Sequence, residues 1–305
     1  MIDPTLIARL LCPRCGAGLA AEATGARCRG CGACFPEEGG ILRLAVGESG
    51  APGYDPHYFG TLPQVENAHF WFLTRREVIL DALRGAVPDL HTRPLFDVGC
   101  GSGGLLEFLA RSGLLLAGAC DAYVEALRLA HGKLPVPLLL IDEGRLPPLG
   151  PGHPMIGLFD VLEHLDEDRE VLRFLFSVLE PGGILVLTVP AHPFLFDEMD
   201  ELAHHRRRYL RRDLRDKLSA AGFEVLRLSH FMATLAPLLV LARWIGRWLP
   251  GPSRPARERR DLELRIVPGV NGLLRNLLRV ERLVLRHVSL PFGSSIVAVA
   301  RRPLA

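Results

Sequence analysis

The stretch Leu95-Phe96-Asp97-Val98-Gly99-Cys100-Gly101-Ser102-Gly103-Gly104 limits the fold more than any other part of the chain. An apolar run enters a glycine-rich turn, and a helix-patterned run, Leu105 to Ala110, leaves it. Such a turn lets the backbone approach a ligand at the helix N-terminus. Gly99, Gly101 and Gly104 satisfy the G-x-G-x-x-G spacing of dinucleotide sites, a weak signal when alone. Asp97 separates the possibilities. It stands two residues before the first glycine, at the carboxyl end of the strand. A carboxylate there repels a pyrophosphate and suits a ligand with an ammonium or a sulfonium group. From residue 94 to residue 229, short apolar runs alternate with helical stretches. That alternation predicts an α/β domain with a largely parallel sheet.

Two more acids fall at strand ends. Asp121 lies 20 residues after Gly101, closing the run Leu114 to Cys120, where an acid pairs with ribose hydroxyls. Asp142 follows Pro137 to Ile141, where a carboxylate can accept from an adenine amino group. Each acid alone reads as an ordinary solvated loop residue. Together, on one sheet edge, they suit S-adenosylmethionine (SAM), which has ribose, adenine, ammonium and sulfonium groups.

On these residues the chain resembles the class I SAM-dependent methyltransferases, over roughly residues 66–230 and the final strand. The resemblance rests on FDVGCGSGG (96–104), FDVLEHLDED (159–168), LEPGGILVLTVPA (179–191) and HHRRRYLRRDLRDKLSAAGFEV (204–225). Glu66, His69 to Phe72 and Arg75 are similar to a bacterial subgroup of that superfamily. The resemblance implies a Rossmann-like α/β sheet, mostly parallel, with its last strand antiparallel. It implies that Gly99, Gly101, Gly103, Asp121 and Asp142 bind SAM, with Cys100 inside the same turn. Asp160 would lie beside the methionine portion and the substrate. His69, Trp71 and Arg75 can fold over SAM as a lid, or simply pack a helix on the sheet. One departure stands out: relatives start the fourth strand with Phe-Asp, where this chain has His153-Pro154.

Methyl transfer is an in-line displacement, so positioning supplies most of the catalysis, and a base helps when the nucleophile is a hydroxyl. His164, four residues after Asp160, can serve as that base; the plainer role is a cap. His205 and Tyr209, in His204-His205-Arg206-Arg207-Arg208-Tyr209, are the other catalytic candidates. Arginines at a helix start oppose its dipole, so at least one should face an acid or an anionic ligand.

Five of the seven cysteines fall in the first 34 residues. Cys12, Cys15, Cys28 and Cys31 follow C-x2-C-x12-C-x2-C, the spacing of a zinc ribbon. The chain opens with no basic and apolar leader before Cys12, which points to a cytoplasmic setting and metal ligands rather than disulfides. A segment this short needs structural zinc to fold. Cys34 reads as a buried spacer, or as a ligand exchanging with Cys31. The module is similar to zinc ribbons that partner methyltransferases or are fused in front of them. The expected organisation is a ribbon at 1–44, a linker at 45–65 and a methyltransferase domain at 66–305.

A helical insertion at 231–290 separates the last two strands. Its apolar run 231–242 is too short to span a bilayer, but Arg243, Trp244, Arg247 and Trp248 suit an interfacial helix. In 270–288, Leu273, Leu274, Leu277, Val284 and Leu285 mark one face, with Arg275, Arg279, Arg282 and Arg286 on another. The pair reads as a cap over the active site or as a peripheral membrane contact. An apolar cap favours a small-molecule or lipid/glycan-precursor acceptor, methylated on oxygen. The net charge of +2 and the near balance of charges in the ribbon lend little to nucleic acid. An RNA methyltransferase fed by the ribbon is the alternative, and a non-catalytic SAM-binding scaffold the third. Oligomeric state is open.

Overall fold

Period-two alternation sorts the central side chains onto two faces. In β5 (Leu95–Val98), Phe96 and Val98 join one core, and Leu95 joins the other. In β9 (Leu179–Pro190), Leu185 and Leu187 take the first face and Val186 the second. Strands buried on both faces read as continuous apolar runs, as these do. The computed structural model describes residues 4–47, 56–238, 240–241 and 265–304.

The remaining strands are β1 (Leu19–Glu22), β2 (Gly25–Cys28), β3 (Cys34–Glu38), β4 (Ile41–Arg43), β6 (Leu116–Asp121), β7 (Leu138–Leu140), β8 (His153–Phe159), β10 (Glu224–Phe231) and β11 (Ser295–Arg301). The sheet order is β1-β2-β3-β4-β7-β6-β5-β8-β9-β11-β10. From β4 through β9 the pairs are parallel, and β11 runs antiparallel between β9 and β10. Helices α6 (Asp168–Val178) and α8 (Arg211–Ala220) cover one face, and the short α7 (Glu198–Leu202) lies between them in sequence. Helices α3 (Phe70–Ala86), α4 (Gly104–Arg111) and α5 (Val124–His131) cover the other. The Rossmann-like α/β expectation holds.

The division into ribbon, linker and domain needs correction. β4 pairs in parallel with β7, so the ribbon extends the central sheet instead of hanging from it. Leu6 and Ile7 of α1 (Pro4–Ile7), together with Leu10 and Leu42, share one apolar core with Phe96 and Leu139. A Cβ on Gly118 of β6 would come within 3.0 Å of Leu6, so α1 lies directly on that strand. The linker is also structured at both ends. Leu44 and Ala45 donate backbone hydrogen bonds to the Leu140 carbonyl, and α2 (Pro56–Glu66) occupies the other end.

The insertion differs from its expected role. Its described helix, α9 (Pro268–Leu285), packs against α3, and no described residue of 231–290 lines the large cavity. The side turned inward holds Leu278, Glu281 and Leu285. Leu273, Leu277 and Val284, expected on that side, are 60%, 40% and 47% exposed. The physical reason is charge. α3 presents Glu77 and Asp81, and Arg282 reaches both, at 2.6 and 2.5 Å, while Arg286 reaches Asp81 at 3.0 Å. Asn271 completes the docking: it accepts from the Phe70 amide and donates to the Ala68 carbonyl, at 2.8 and 2.9 Å. The expected interfacial residues Arg243, Trp244, Arg247 and Trp248 lie outside the described residues.

Candidate active site

A cavity of about 890 Å³ opens at the carboxyl ends of β5 to β8, with α2 and α3 along one side. Ligands of open α/β sheets bind at this edge. The cavity brings together Trp71, Arg75, Asp97, Gly99, Cys100, Gly101, Asp121, Asp142, Asp160 and His164. Gly103, His205 and Tyr209 do not line it.

The turn after β5 requires glycine for two reasons. Gly99 has φ +80°, and a Cβ there would sit 2.4 Å from Val161. Gly101 has φ +55°, and its amide donates to Asp121 at 2.8 Å. Gly103 instead faces α5, where a Cβ would touch Ala130 and Leu134 at 3.0 Å. It shapes the turn and does not wall the cavity. At the N-terminus of α4, Ser102 donates to Glu66 at 2.5 Å, with Lys133 3.5 Å from the same carboxylate. Glu66 thus covers the helix end that spacing alone assigned to a ligand.

Asp97 is fully buried, and its Oδ1 has no partner among the described residues. Burial pushes its pKa up to about 7, against the pull of Arg75. Gly157 on neighbouring β8 makes room for it: a Cβ there would lie 2.6 Å from that oxygen. Arg75 bridges to Asp160 at 2.5 Å and lies over the Trp71 ring at 5.4 Å. Asp160 adopts φ +55°, a strained conformation for a residue other than glycine, and accepts from Thr188 at 3.1 Å. Asp121 accepts from the amides of Gly101 and Tyr123, and burial raises its pKa. Asp142 is partly engaged, accepting from the amides of Val46 and Gly47 at 3.1 and 3.0 Å. His69 is an N-cap of α3, its Nδ1 accepting from the Trp71 amide at 3.3 Å, and does not line the cavity.

His164 ends a short 3-10 turn, Leu162–His164, and faces the cavity. Burial, reinforced by His205, pushes its pKa down to about 4, so the ring is neutral at pH 7. His205 stands behind it with ring centroids 4.8 Å apart, and its Nδ1 meets Asp200 at 2.8 Å. Tyr209 is a correction to the catalytic set. It is completely buried, and its hydroxyl donates to Asp168 at 3.0 Å, next to Lys217. Burial, with Asp168 beside it, raises its pKa further still. The arginines find acids as expected: Arg206 meets Asp166, Arg207 meets Asp168 and Arg208 meets Asp200. His153 starts β8 in a dry setting, edge-on to Phe96 at 5.6 Å, with neither ring nitrogen partnered among the described residues. Burial and nearby Arg9 push its pKa down to about 4.

At the far edge of the sheet, the Sγ atoms of Cys12, Cys15, Cys28 and Cys31 lie within 4.8 Å of one another. Cys12 and Cys31 are 3.8 Å apart, and Cys15 and Cys28 are 3.4 Å apart. A zinc tetrahedron with ~2.3 Å bonds has edges of roughly 3.8 Å, so the four sulfurs fit one ion. The amides of Arg14, Gly30 and Cys31 point at Cys12 and Cys28 sulfurs from 3.3 to 3.4 Å. Cys34 is exposed at the start of β3, not buried, because Phe35 takes the inward position.

Comparison with known proteins places this geometry. The family model described as "Methyltransferase domain" matches residues 72–228, just over half of the chain. A probable S-adenosylmethionine-dependent methyltransferase of Mycolicibacterium smegmatis is 28% identical over 170 residues, 54% of this chain. The match spans 63% of that relative's length. Among solved structures, phosphoethanolamine N-methyltransferase 2 of Haemonchus contortus, in complex with SAM, superposes with a TM-score of 0.53 at 13% identity. The match covers 82% of this chain and 58% of that one. A putative sarcosine dimethylglycine methyltransferase of Galdieria sulphuraria gives a TM-score of 0.50 at 16% identity, over 76% and 86% of the two chains. The chain therefore belongs to the methyltransferase-domain family and has its class I, Rossmann-like fold.

Proposed function

We propose that this protein transfers the methyl group of SAM to a hydroxyl of a small or lipid-linked acceptor. The observation that carries the SAM part is Asp97. A buried carboxylate with an unpartnered oxygen, at the wall of a large cavity, suits the ammonium of a methionine portion. In this reading Asp121 serves the ribose, Asp142 the adenine, and Asp160 with Arg75 the methionine end and the acceptor. Zinc at the four cysteines is structural.

In the transfer, the acceptor oxygen bonds the methyl carbon as the carbon–sulfur bond breaks. The bonding pair stays on sulfur, and the hydroxyl proton passes to a base at the cavity wall or to solvent through the cavity mouth. Neutral His164 lies at the cavity wall in the state that either a base or a metal ligand requires. The lipid part rests on α9. Val270, Leu273, Leu277, Val280 and Val284 form an exposed apolar stripe at helical spacing. No described helix is long and apolar enough to cross a membrane, so the contact proposed is peripheral. An RNA acceptor has weaker support, because Arg206, Arg207 and Arg208 are already paired with acids.

Methyl-labelled SAM, incubated with the full chain and a total cell extract, tests the reading. Label should enter the organic phase as an alkali-stable methyl ether. Label confined to RNA, or none above boiled protein, would sink it.

A further inference from the structure

We propose that Glu163, His164 and His205 bind one divalent transition-metal ion at the back of the cavity, separate from the ribbon's cysteines. One ligating atom of each residue lies within 4.8 Å of the other two. The gap between His205 Nε2 and Glu163 Oε1 is 3.9 Å, too long for a hydrogen bond. Two atoms each ~2.1 Å from one ion stand at most ~4.2 Å apart, so that pair can bridge, and the wider gaps close by under ~1 Å.

The second observation is independent of proximity. Glu163 is completely buried, and neither of its carboxylate oxygens has a hydrogen-bond partner among the described residues. Leaving a buried charge unpaired is costly. A proton would cancel the charge but leave polar atoms unsatisfied, whereas a cation answers both needs.

The surroundings hold the ligands in place. Asp200 takes the Nδ1 side of His205 at 2.8 Å, which turns Nε2 toward Glu163. A carboxylate behind an imidazole is the usual support of a metal-bound histidine. Arg208 fixes Asp200 in turn, also at 2.8 Å. The Arg206 amide donates to the Glu163 carbonyl at 2.7 Å, clipping the two ligand-bearing segments together. Asp160 adds negative potential nearby, offset by Arg75. Two imidazoles and one carboxylate select zinc, iron, cobalt or manganese over magnesium or calcium.

His164 lines the cavity, so open coordination positions on the ion would face the acceptor. The role of the ion rests on the hydroxyl-acceptor reading above. It would lower the hydroxyl pKa, the proton leaving to solvent through the cavity mouth, and the oxygen would then attack the methyl carbon.

The test is zinc stoichiometry of the full chain, by elemental analysis after dialysis against Zn2+ buffered with a competing chelator. Wild type should hold two ions per chain, and Glu163→Gln and His205→Ala should hold one. Asp200→Asn should weaken the second site by roughly 10–100-fold. Circular dichroism and SAM binding confirm that each variant is folded. One ion in wild type, or two in both ligand variants, overturns the site. Methyl transfer is assayed separately: transfer with a single ion defeats this site alone, and two ions without transfer defeats the acceptor reading alone.

Discussion

The two ends of the chain make a useful contrast. The first 44 residues read as an appendage and prove to be part of the sheet, joined through β4 and β7. The insertion before β11 reads as a cap on the active site or as a peripheral membrane contact, and its described helix packs against α3 and β10, away from the cavity. Cysteine spacing announces a local metal knuckle but says nothing about the strand that follows it. An amphipathic pattern announces a helix with two faces but not which face turns inward. Both outcomes were decided by partners far away in sequence: Leu138–Leu140 for the ribbon, and Glu77 with Asp81 for the insertion.

The largest effect should come from breaking the ribbon. Cys28→Ser should release zinc and cost several kcal/mol, because metal binding supplies folding energy. If the ribbon is one body with the sheet, calorimetry will show a single, lowered transition; two separate transitions would restore the appendage. Leu10→Ala, in the core shared by both parts, should cost about 2–5 kcal/mol in denaturant melts.

Asp97 gives a pH test. Its folded pKa of about 7 lies above the ordinary carboxylate value of 3.8, so the ligand-free protein binds that proton more tightly than the unfolded chain does. Its contribution to stability is present at low pH and is lost as pH rises from near 4 to about 7. A cationic ligand needs the ionised form. SAM affinity should therefore rise roughly tenfold or more between pH 5.5 and pH 8, read by calorimetry, and flatten in Asp97→Asn.

On the insertion side, Arg282→Ala leaves Asp81, only 9% exposed, with Arg286 as its remaining partner. It should cost about 1–3 kcal/mol and loosen α9. The smallest change in stability, within about 0.5 kcal/mol, is expected for Leu273→Gln with Val280→Gln on the exposed stripe. That double variant should nonetheless lose binding to anionic lipid vesicles in a sedimentation assay. Unchanged vesicle binding would remove the lipid argument and leave α9 as packing alone.

Much of the site proposed for SAM was legible because it is local. Asp97, Gly99 and Gly101 sit on one strand and its turn, where spacing translates directly into geometry. Asp121 and Asp142 follow from the rule that strand ends share an edge. What escaped depends on distant contacts. Gly157 matters only because β8 lies beside β5, and nothing in its own segment shows that a side chain there would strike Asp97. Glu163 belongs to a motif that drew attention to His164, but its isolation appears only once 200–208 folds against it. Tyr209 misled for the same reason: a tyrosine among arginines resembles a site residue until Asp168 and Lys217 are seen to claim its hydroxyl and ring.

The pairing of β4 with β7 also bears on whether chains stack on one another. β7 is three leucines, Leu138 to Leu140, and all are buried. Without β4, their outer row of amides and carbonyls would be an open, apolar sheet edge, the template on which chains stack and aggregate. The ribbon covers that edge and ends in β1, whose last residues, Ala21 and Glu22, are exposed and which closes with a charge. A version of the protein lacking residues 1–44 would keep every acid proposed to face SAM and still be expected to precipitate.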